Sequence, residues 1–422
     1  MAETGRDAAG EAEVVIGALG HLGDGIAETP DGAIFVPFAL PGERVRVRNI
    51  GEGRAELLSV LTPAPERASP PCRHFGTCGG CALQHIEAAT YRNWKREQVA
   101  AALSARGLGI DVDPLVPAVP RSRRRATLAA TRTKKGVTIG YYGRASHTIV
   151  AIAECPLVVP EIERALEGLA HLVEPGLSRK GRAALAVTAT ETGLDVAVSG
   201  GKEIDGPLRA ELARRATAID LARLAWNGEL IAERRAPQVT LSGLRVSPPP
   251  GAFLQATAEG EAALVRFVLE AVGGAKRVAD LFAGCGTFTA ALARRAAVLA
   301  VEGEKPQLAA LDRALRAQGP ALGLKPVELL TRDLFRRPML PSDLEKIDAV
   351  VFDPPRAGAA AQAEMLARSS VPLIVAVSCN PATFARDARL LVDGGYRLLR
   401  VTPVDQFLWS PHIELVGLFR RE

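Results

Sequence analysis

The sequence predicts an α/β protein whose C-terminal part is a doubly wound, Rossmann-like parallel sheet, preceded by a small antiparallel β-barrel and a middle region of α+β character. Three observations carry this. From about Val246 short apolar runs alternate with helical patterns. Before residue 62, alternating runs are cut by turns at Gly23-Asp24-Gly25, Pro30-Asp31-Gly32 and Leu40-Pro41-Gly42. With 422 residues, 48% of them apolar and 23% charged, the chain has material for about three domains with cores of their own.

Residues 1–10 read as a polar tail. Within 11–62, Val14-Val15-Ile16, Ala33-Ile34-Phe35-Val36 and Arg44-Val45-Arg46-Val47-Arg48 supply the barrel's strands. Such barrels often hold oligonucleotides, and a generic β-module fits the pattern equally well. Thr62-Pro63-Ala64-Pro65 reads as a linker into the middle region, 66–245, where 91–106 has the pattern of an exposed basic helix and 136–142 that of a strand. In the last region, 246–422, strands are expected at 278–282, 298–302, 327–331, 349–353 and 373–379, with helices at 287–295, 306–317, 360–368 and 381–391. Segments 397–401 and 414–419 suit a closing hairpin at the sheet edge. No internal repeat is found.

Lys and Arg number 52 against 47 Asp and Glu, a net +5 that permits contact with nucleic acid without demanding it. No run of about eighteen apolar residues predicts a membrane span. The first twenty residues carry Glu3, Asp7 and Glu11 in place of a basic and then apolar leader, so a cytoplasmic protein is expected. Six cysteines are too few for a disulfide scaffold. Four of them, Cys72, Cys78, Cys81 and the distant Cys155, supply soft ligands for either zinc or an iron-sulfur cluster.

The run from Asp280 to Thr289 ends a strand and opens a helix, and its glycines let the backbone approach a ligand at the helix N-terminus. Glu302 closes the next strand where a ribose-binding carboxylate belongs, and Asp333 follows the third, so a dinucleotide remains one reading of this loop. Asp353-Pro354-Pro355-Arg356 follows the fourth strand, its prolines stiffening the backbone beside the aspartate. Cys379 precedes a helix, where the dipole and free amides favour thiolate; a buried, inert cysteine is the alternative. Arg121, Arg123, Arg124, Arg125, Arg132, Lys134 and Lys135, with Tyr141, Tyr142 and Arg144 nearby, form a candidate RNA-facing strip or else a solvated basic hairpin.

Together with SCNPATFARD at 378–387 and His412-Ile413-Glu414, these motifs resemble the S-adenosylmethionine-dependent RNA 5-methyluridine methyltransferases, across most of the chain. The resemblance implies a class I methyltransferase domain at 246–422 and an N-terminal TRAM-like barrel at 11–62. The cysteines of 66–245 would hold a four-iron, four-sulfur cluster, and a helix at about 84–115 would pack with the catalytic domain. It further implies Cys379 as the nucleophile that adds to uracil C6, Glu414 as the base that removes the C5 proton, and Asp353 and Gln255 at the target base and methyl-transfer centre. For Glu414 the competing reading is a solvated edge-strand carboxylate. Asp280, Phe282, Gly284, Gly286, Glu302 and Asp333 would hold S-adenosyl-L-methionine. Where many relatives have Phe-x-Gln-x-Asn, Thr257 stands in place of Asn. Arg356, where cytosine-5 enzymes commonly carry a second cysteine, favours uracil. Because tRNA T-loop relatives commonly lack barrel and cluster, 23S ribosomal RNA is the expected partner, with a monomer and no obligate protein partner. The rival readings are a tRNA enzyme and a non-catalytic RNA-binding or chaperone protein.

Overall fold

Six short strands follow the N-terminal alternation: β1 (Glu11–Val15), β2 (Ala18–Leu19), β3 (Gly25–Thr29), β4 (Gly32–Val36), β5 (Arg44–Gly51) and β6 (Arg54–Thr62). The computed structural model describes residues 11–421, so the expected tail at 1–10 lies outside the described residues. Val14, Ile16, Ala27, Val36, Val45, Val47 and Ala55 turn inward to a small apolar core. The expected closed barrel is corrected to an open sheet of order β1-β5-β6-β4-β3-β2. The reason is local. β2 has two residues, and β4 meets β6 only through Phe35 and Arg54. Between β1 and β2 the chain turns, the Ile16 amide donating to the Glu43 carbonyl and the Gly17 amide to the Ile26 carbonyl, so no ladder joins the two ends.

Helix α1 (Ala88–Ser104) replaces the exposed helix expected at 91–106, but Tyr91, Trp94, Lys95, Val99 and Leu103 are buried. A lysine inside the buried stripe dilutes the apolar signal that would have marked this face. Val99 and Leu103 share a core with Phe384 and Val401, near the C-terminus.

The middle region contains β7 (Arg125–Thr133), β8 (Gly136–Tyr142), β9 (Ile149–Ala151), α2 (Pro160–Val173), β10 (Arg182–Thr190), β11 (Gly193–Gly200), α3 (Gly206–Ala218), β12 (Arg223–Trp226) and β13 (Glu229–Glu233). Its strands form a seven-stranded sheet, β13-β12-β11-β10-β7-β8-β9. Leu166, Leu169 and Leu212 from the helices share its core with Leu185, Val196 and Trp226.

A hairpin of β14 (Val239–Leu241) and β15 (Leu244–Val246) and helix α4 (Ala258–Val272) lead into the last sheet. There follow β16 (Arg277–Leu281), α5 (Thr287–Leu292), β17 (Ala297–Glu302), α6 (Lys305–Gln318), β18 (Val327–Thr331), β19 (Ala349–Phe352), α7 (Ala360–Ala367), β20 (Leu373–Ser378), α8 (Pro381–Asp393), β21 (Tyr396–Val404) and β22 (Glu414–Arg421). The order is β18-β17-β16-β19-β20-β22-β21, with β16 to β20 mutually parallel and β22 antiparallel to both its neighbours. The central strands β16, β19 and β20 are apolar on both faces, as a sheet covered on two sides requires: Val278, Val351 and Val375 enter one core, Ala279, Val350 and Ile374 the other. The expected closing hairpin is present at the sheet edge. β22 lies inside, leaving β21 at the edge, because β22 begins Glu-Leu-Val-Gly-Leu-Phe and is largely buried, whereas β21 exposes Arg397 and Arg400. No helix among the described residues is long and apolar enough to cross a membrane.

Candidate active site

In a parallel sheet the residues after each strand's C-terminal end share one edge. β16 leads there to the loop Phe282-Ala283-Gly284-Cys285-Gly286, β17 ends in Glu302, β19 delivers Asp353 and β20 delivers Cys379. β22 runs the other way and so begins at this edge. Ser378 pairs with Leu415, which sets Cys379 across from Glu414.

Glu414 is 3% exposed, which excludes a solvated edge-strand carboxylate. Burial raises its pKa well above the usual carboxylate range, and the charge of Asp353 adds to the rise. Burial likewise pushes Asp353 up to about 7, against the Gln255 amide, whose Nε2 donates to Oδ2 at 2.9 Å. Gln406 orients that amide by donating to Gln255 Oε1 at 2.7 Å, and its own Oε1 accepts the Thr257 backbone amide at 3.3 Å. Gln406 was not anticipated from sequence. Its signal is an amide directly after the acid Asp405, at the end of the apolar β21. The Thr257 hydroxyl accepts from the Gly260 amide at 3.1 Å, so the residue standing for Asn caps α4.

The expected helix-stabilised thiolate is corrected. Asn380 is the N-cap of α8: its side chain accepts from the Ala382 amide at 3.0 Å and its carbonyl from the Phe384 amide at 3.0 Å, so these amides are already engaged. Burial pushes the Cys379 thiol up to about 11, Glu414 and Asp353 add to the rise, and Arg356 opposes it. Cys379 lines a cavity of about 310 Å³ with Arg356, His412, Gln98 and Leu22. Arg356 Nη2 lies 3.4 Å from His412 Nδ1. Gln98 comes from α1 and Leu22 from the turn before β3, so three regions of the chain meet at this thiol.

Phe282, Gly284 and Gly286 all have positive φ, at 62°, 57° and 96°. A Cβ on Gly286 would stand 2.5 Å from the Leu311 side chain, a close approach that selects glycine. Glu302 braces the loop, accepting from the Gly284 amide at 2.8 Å and the Glu304 amide at 2.7 Å. Asp280 is wholly buried and pushed up to about 7 by burial; Oδ2 accepts the Thr289 hydroxyl at 2.5 Å, and Oδ1 has no partner among the described residues. That orphaned oxygen under a strained loop suits a site completed by a polar ligand. Asp333 accepts from the Phe335 amide at 3.0 Å, which ties it to its own turn. Phe335, half exposed, sets its ring 5.5 Å from that of Phe282 and was also missed; only its position after Asp333 hints at it.

Cys72, Cys78, Cys81 and Cys155 line one cavity of about 20 Å³. No group of three or more His, Cys, Asp or Glu side chains among the described residues is placed to hold a metal ion, so the expected ligand shell is not assembled. Burial raises the thiols of Cys78 and Cys155 and pushes Cys81 up to about 12, with repulsion among the four adding to it. Such crowded thiols ionise together only around a compensating cation.

The basic strip does not form one solvent-facing surface. Arg121 pairs with Glu163, Arg124 with Glu261 and the Gln255 carbonyl, and Arg132 with the Glu174 and Leu177 carbonyls. Arg123 lies over Phe407 and Arg125 over Phe253, at 5.5 Å and 5.3 Å from the ring centroids. Lys134 and Lys135 are exposed on the β7–β8 turn. Tyr141 faces the cysteine cavity instead of solvent, and Tyr142 is exposed.

Known proteins can be set beside this geometry. Residues 330–422 match the family model described as tRNA (Uracil-5-)-methyltransferase. A protein of Brucella suis biovar 1 (strain 1330) named "Uncharacterized RNA methyltransferase" is 49% identical over 97% of this chain and 98% of its own length. The 23S rRNA (uracil(1939)-C(5))-methyltransferase RlmD of Chromohalobacter salexigens is 36% identical over 99% of this chain and 91% of its own. The crystal structure of Pyrococcus abyssi tRNA (uracil-54, C5)-methyltransferase with S-adenosyl-L-homocysteine superposes with a TM-score of 0.74 at 25% identity, covering 96% of this chain and all of that one.

Proposed function

The chain belongs to the S-adenosylmethionine-dependent RNA uracil-5-methyltransferases, and from that premise we propose that it forms 5-methyluridine in 23S ribosomal RNA, with Cys379 as nucleophile and Glu414 as base. The observation that carries this reading is the register that sets Cys379, whose half-buried thiol lines a cavity, across from the buried carboxyl of Glu414. Cys379 sulfur adds to uracil C6, and the C5=C6 electron pair moves onto the C4 carbonyl as an enolate. S-adenosylmethionine supplies an electrophilic methyl group on a sulfonium. C5 of the enolate takes that methyl group as its bond to the sulfonium sulfur breaks, the electron pair staying on sulfur as a neutral thioether. Glu414 then removes the C5 proton, the C5=C6 bond reforms, and the Cys379 thiolate is expelled.

Asp353, held by Gln255 and Gln406, orients the uracil ring and adjoins the methyl-transfer centre. Asp280, Phe282, Gly284, Gly286 and Glu302 hold the methyl donor, supported by the orphaned Asp280 oxygen and the loop's left-handed backbone. Asp333 joins them near the adenine. The division at 11–62, 66–245 and 246–422 supports one RNA-binding, one cysteine-bearing and one catalytic part, and the N-terminal sheet is read as TRAM-like. The four cysteines are read as ligands of a four-iron, four-sulfur cluster with a structural role, supported by four soft thiol donors brought to one place in the fold. Lys134 and Lys135, exposed on the β7–β8 turn, contact the RNA backbone; the arginines at 121–132 serve mainly to hold the fold around it.

A tRNA substrate is the second reading. The Pyrococcus enzyme spans nearly the whole chain, so overall length does not separate tRNA from ribosomal RNA. The higher identity to the Chromohalobacter enzyme favours the ribosomal target. Methylating separate 23S and tRNA pools with labelled S-adenosylmethionine tests the choice: label in 23S RNA is expected, and label confined to tRNA contradicts it.

A further inference from the structure

The connection 405–413 between β21 and β22 carries His412 into the cavity and leads into Glu414, and it is held from outside its own sheet. Lys95 on α1 has no exposed surface. Its ammonium donates to Asp405 Oδ1 at 2.7 Å, the His412 carbonyl at 2.8 Å and the Phe407 carbonyl at 3.1 Å. Tyr91, one turn earlier, donates to Asp405 Oδ2 at 2.8 Å and accepts the Trp409 amide at 2.9 Å. The Trp409 carbonyl in turn accepts the amides of Ala82 and Leu83, which follow Cys81, and Trp409 itself sits at φ 57°. Burying an ammonium is costly unless each donor is satisfied, and here its partners stand at both ends of the loop. The ion pair is therefore complete only in one loop conformation. Burial pulls the Lys95 pKa down while Asp405 pushes it back.

We propose that Lys95 is a positioning residue for methyl transfer, fixing the 405–413 loop so that Glu414 meets the C5 proton and His412 faces the target base. This rests on reading Glu414 as the C5 base. Displacement of a reacting group by an ångström can cost about 100-fold in rate, so the late step should stall first.

The test compares full-length wild type, Glu414→Gln and Lys95→Met with RNA substrate and methyl-labelled S-adenosylmethionine. The readouts are turnover, RNA affinity and the labelled covalent protein–RNA adduct on denaturing gels. Lys95→Met should lose about 100-fold in kcat with unchanged RNA affinity and accumulate the same methylated adduct as Glu414→Gln. A folded Lys95→Met that turns over normally, or that loses only RNA affinity, overturns the proposal. Adduct in Glu414→Gln but not in Lys95→Met overturns the positioning role alone; no adduct in Glu414→Gln overturns the base assignment and the proposal with it. Should Lys95→Met not fold, Tyr91→Phe removes one strut and must show a smaller accumulation; wild-type kinetics from it then overturn the proposal.

Discussion

At the scale of single residues the site trades availability for reactivity. A thiol pushed up to about 11 leaves about one Cys379 in ten thousand ionised at pH 7. The reactive species is the anion and the pKa is raised, so activity is lost as pH falls and gained as it rises toward that value. The account predicts that kcat/KM measured from pH 6 to 9 climbs by about tenfold per pH unit, whereas a flat profile contradicts a buried, unactivated thiol. The sequence marked Cys379 and Asp353 by their positions after strands, and Glu414 through its motif's resemblance to the methyltransferase family. It could not mark their electrostatics, because Glu414 and Asp353 raise the Cys379 pKa from separate strands. Gln406 and Lys95 escaped for the same reason. Their partners, Gln255 and Asp405, lie far along the chain, and neither residue type signals burial.

At the scale of elements, local pattern served the last sheet well. β18 occupies 327–331 as expected, and α8 begins at Pro381, where proline at the first turn and Asn380 as cap define the start. The errors came where an element's neighbours decide its exposure. The N-terminal strands form an open sheet where a barrel was expected, and α1 is buried along a face that contains a lysine. Thr257 gives an element-scale test. Thr257→Ala removes the α4 cap and should cost about 1 kcal/mol in urea unfolding. Thr257→Asn, which restores the residue common in relatives, should stay within a few tenths of a kcal/mol of wild type. Equal midpoints for all three proteins contradict the capping role.

At the scale of the whole molecule, three distant stretches converge on one cleft: the turn at Leu22, helix α1, and the C-terminal strands. The cysteine segment is tied to the same place through Ala82, Leu83 and the Trp409 carbonyl. Spacing along the chain revealed four cysteines with metal-binding character but not this tether, which exists only once the sheets are assembled. On the proposed cluster reading, Cys78→Ser loses iron and sulfide by chemical analysis, and through this tether also loses soluble, folded protein. Native protein that is colourless and carries stoichiometric zinc contradicts the cluster.

The central claim is a transient bond between Cys379 and uracil C6, and RNA bearing 5-fluorouridine at the target tests it most directly. Fluorine cannot leave C5 as a cation, so the methylated adduct has no exit. Wild type should form a denaturant-resistant protein–RNA complex carrying the labelled methyl group, and Cys379→Ala should form none. A complex from Cys379→Ala, or none from a wild type that methylates ordinary RNA, contradicts the account.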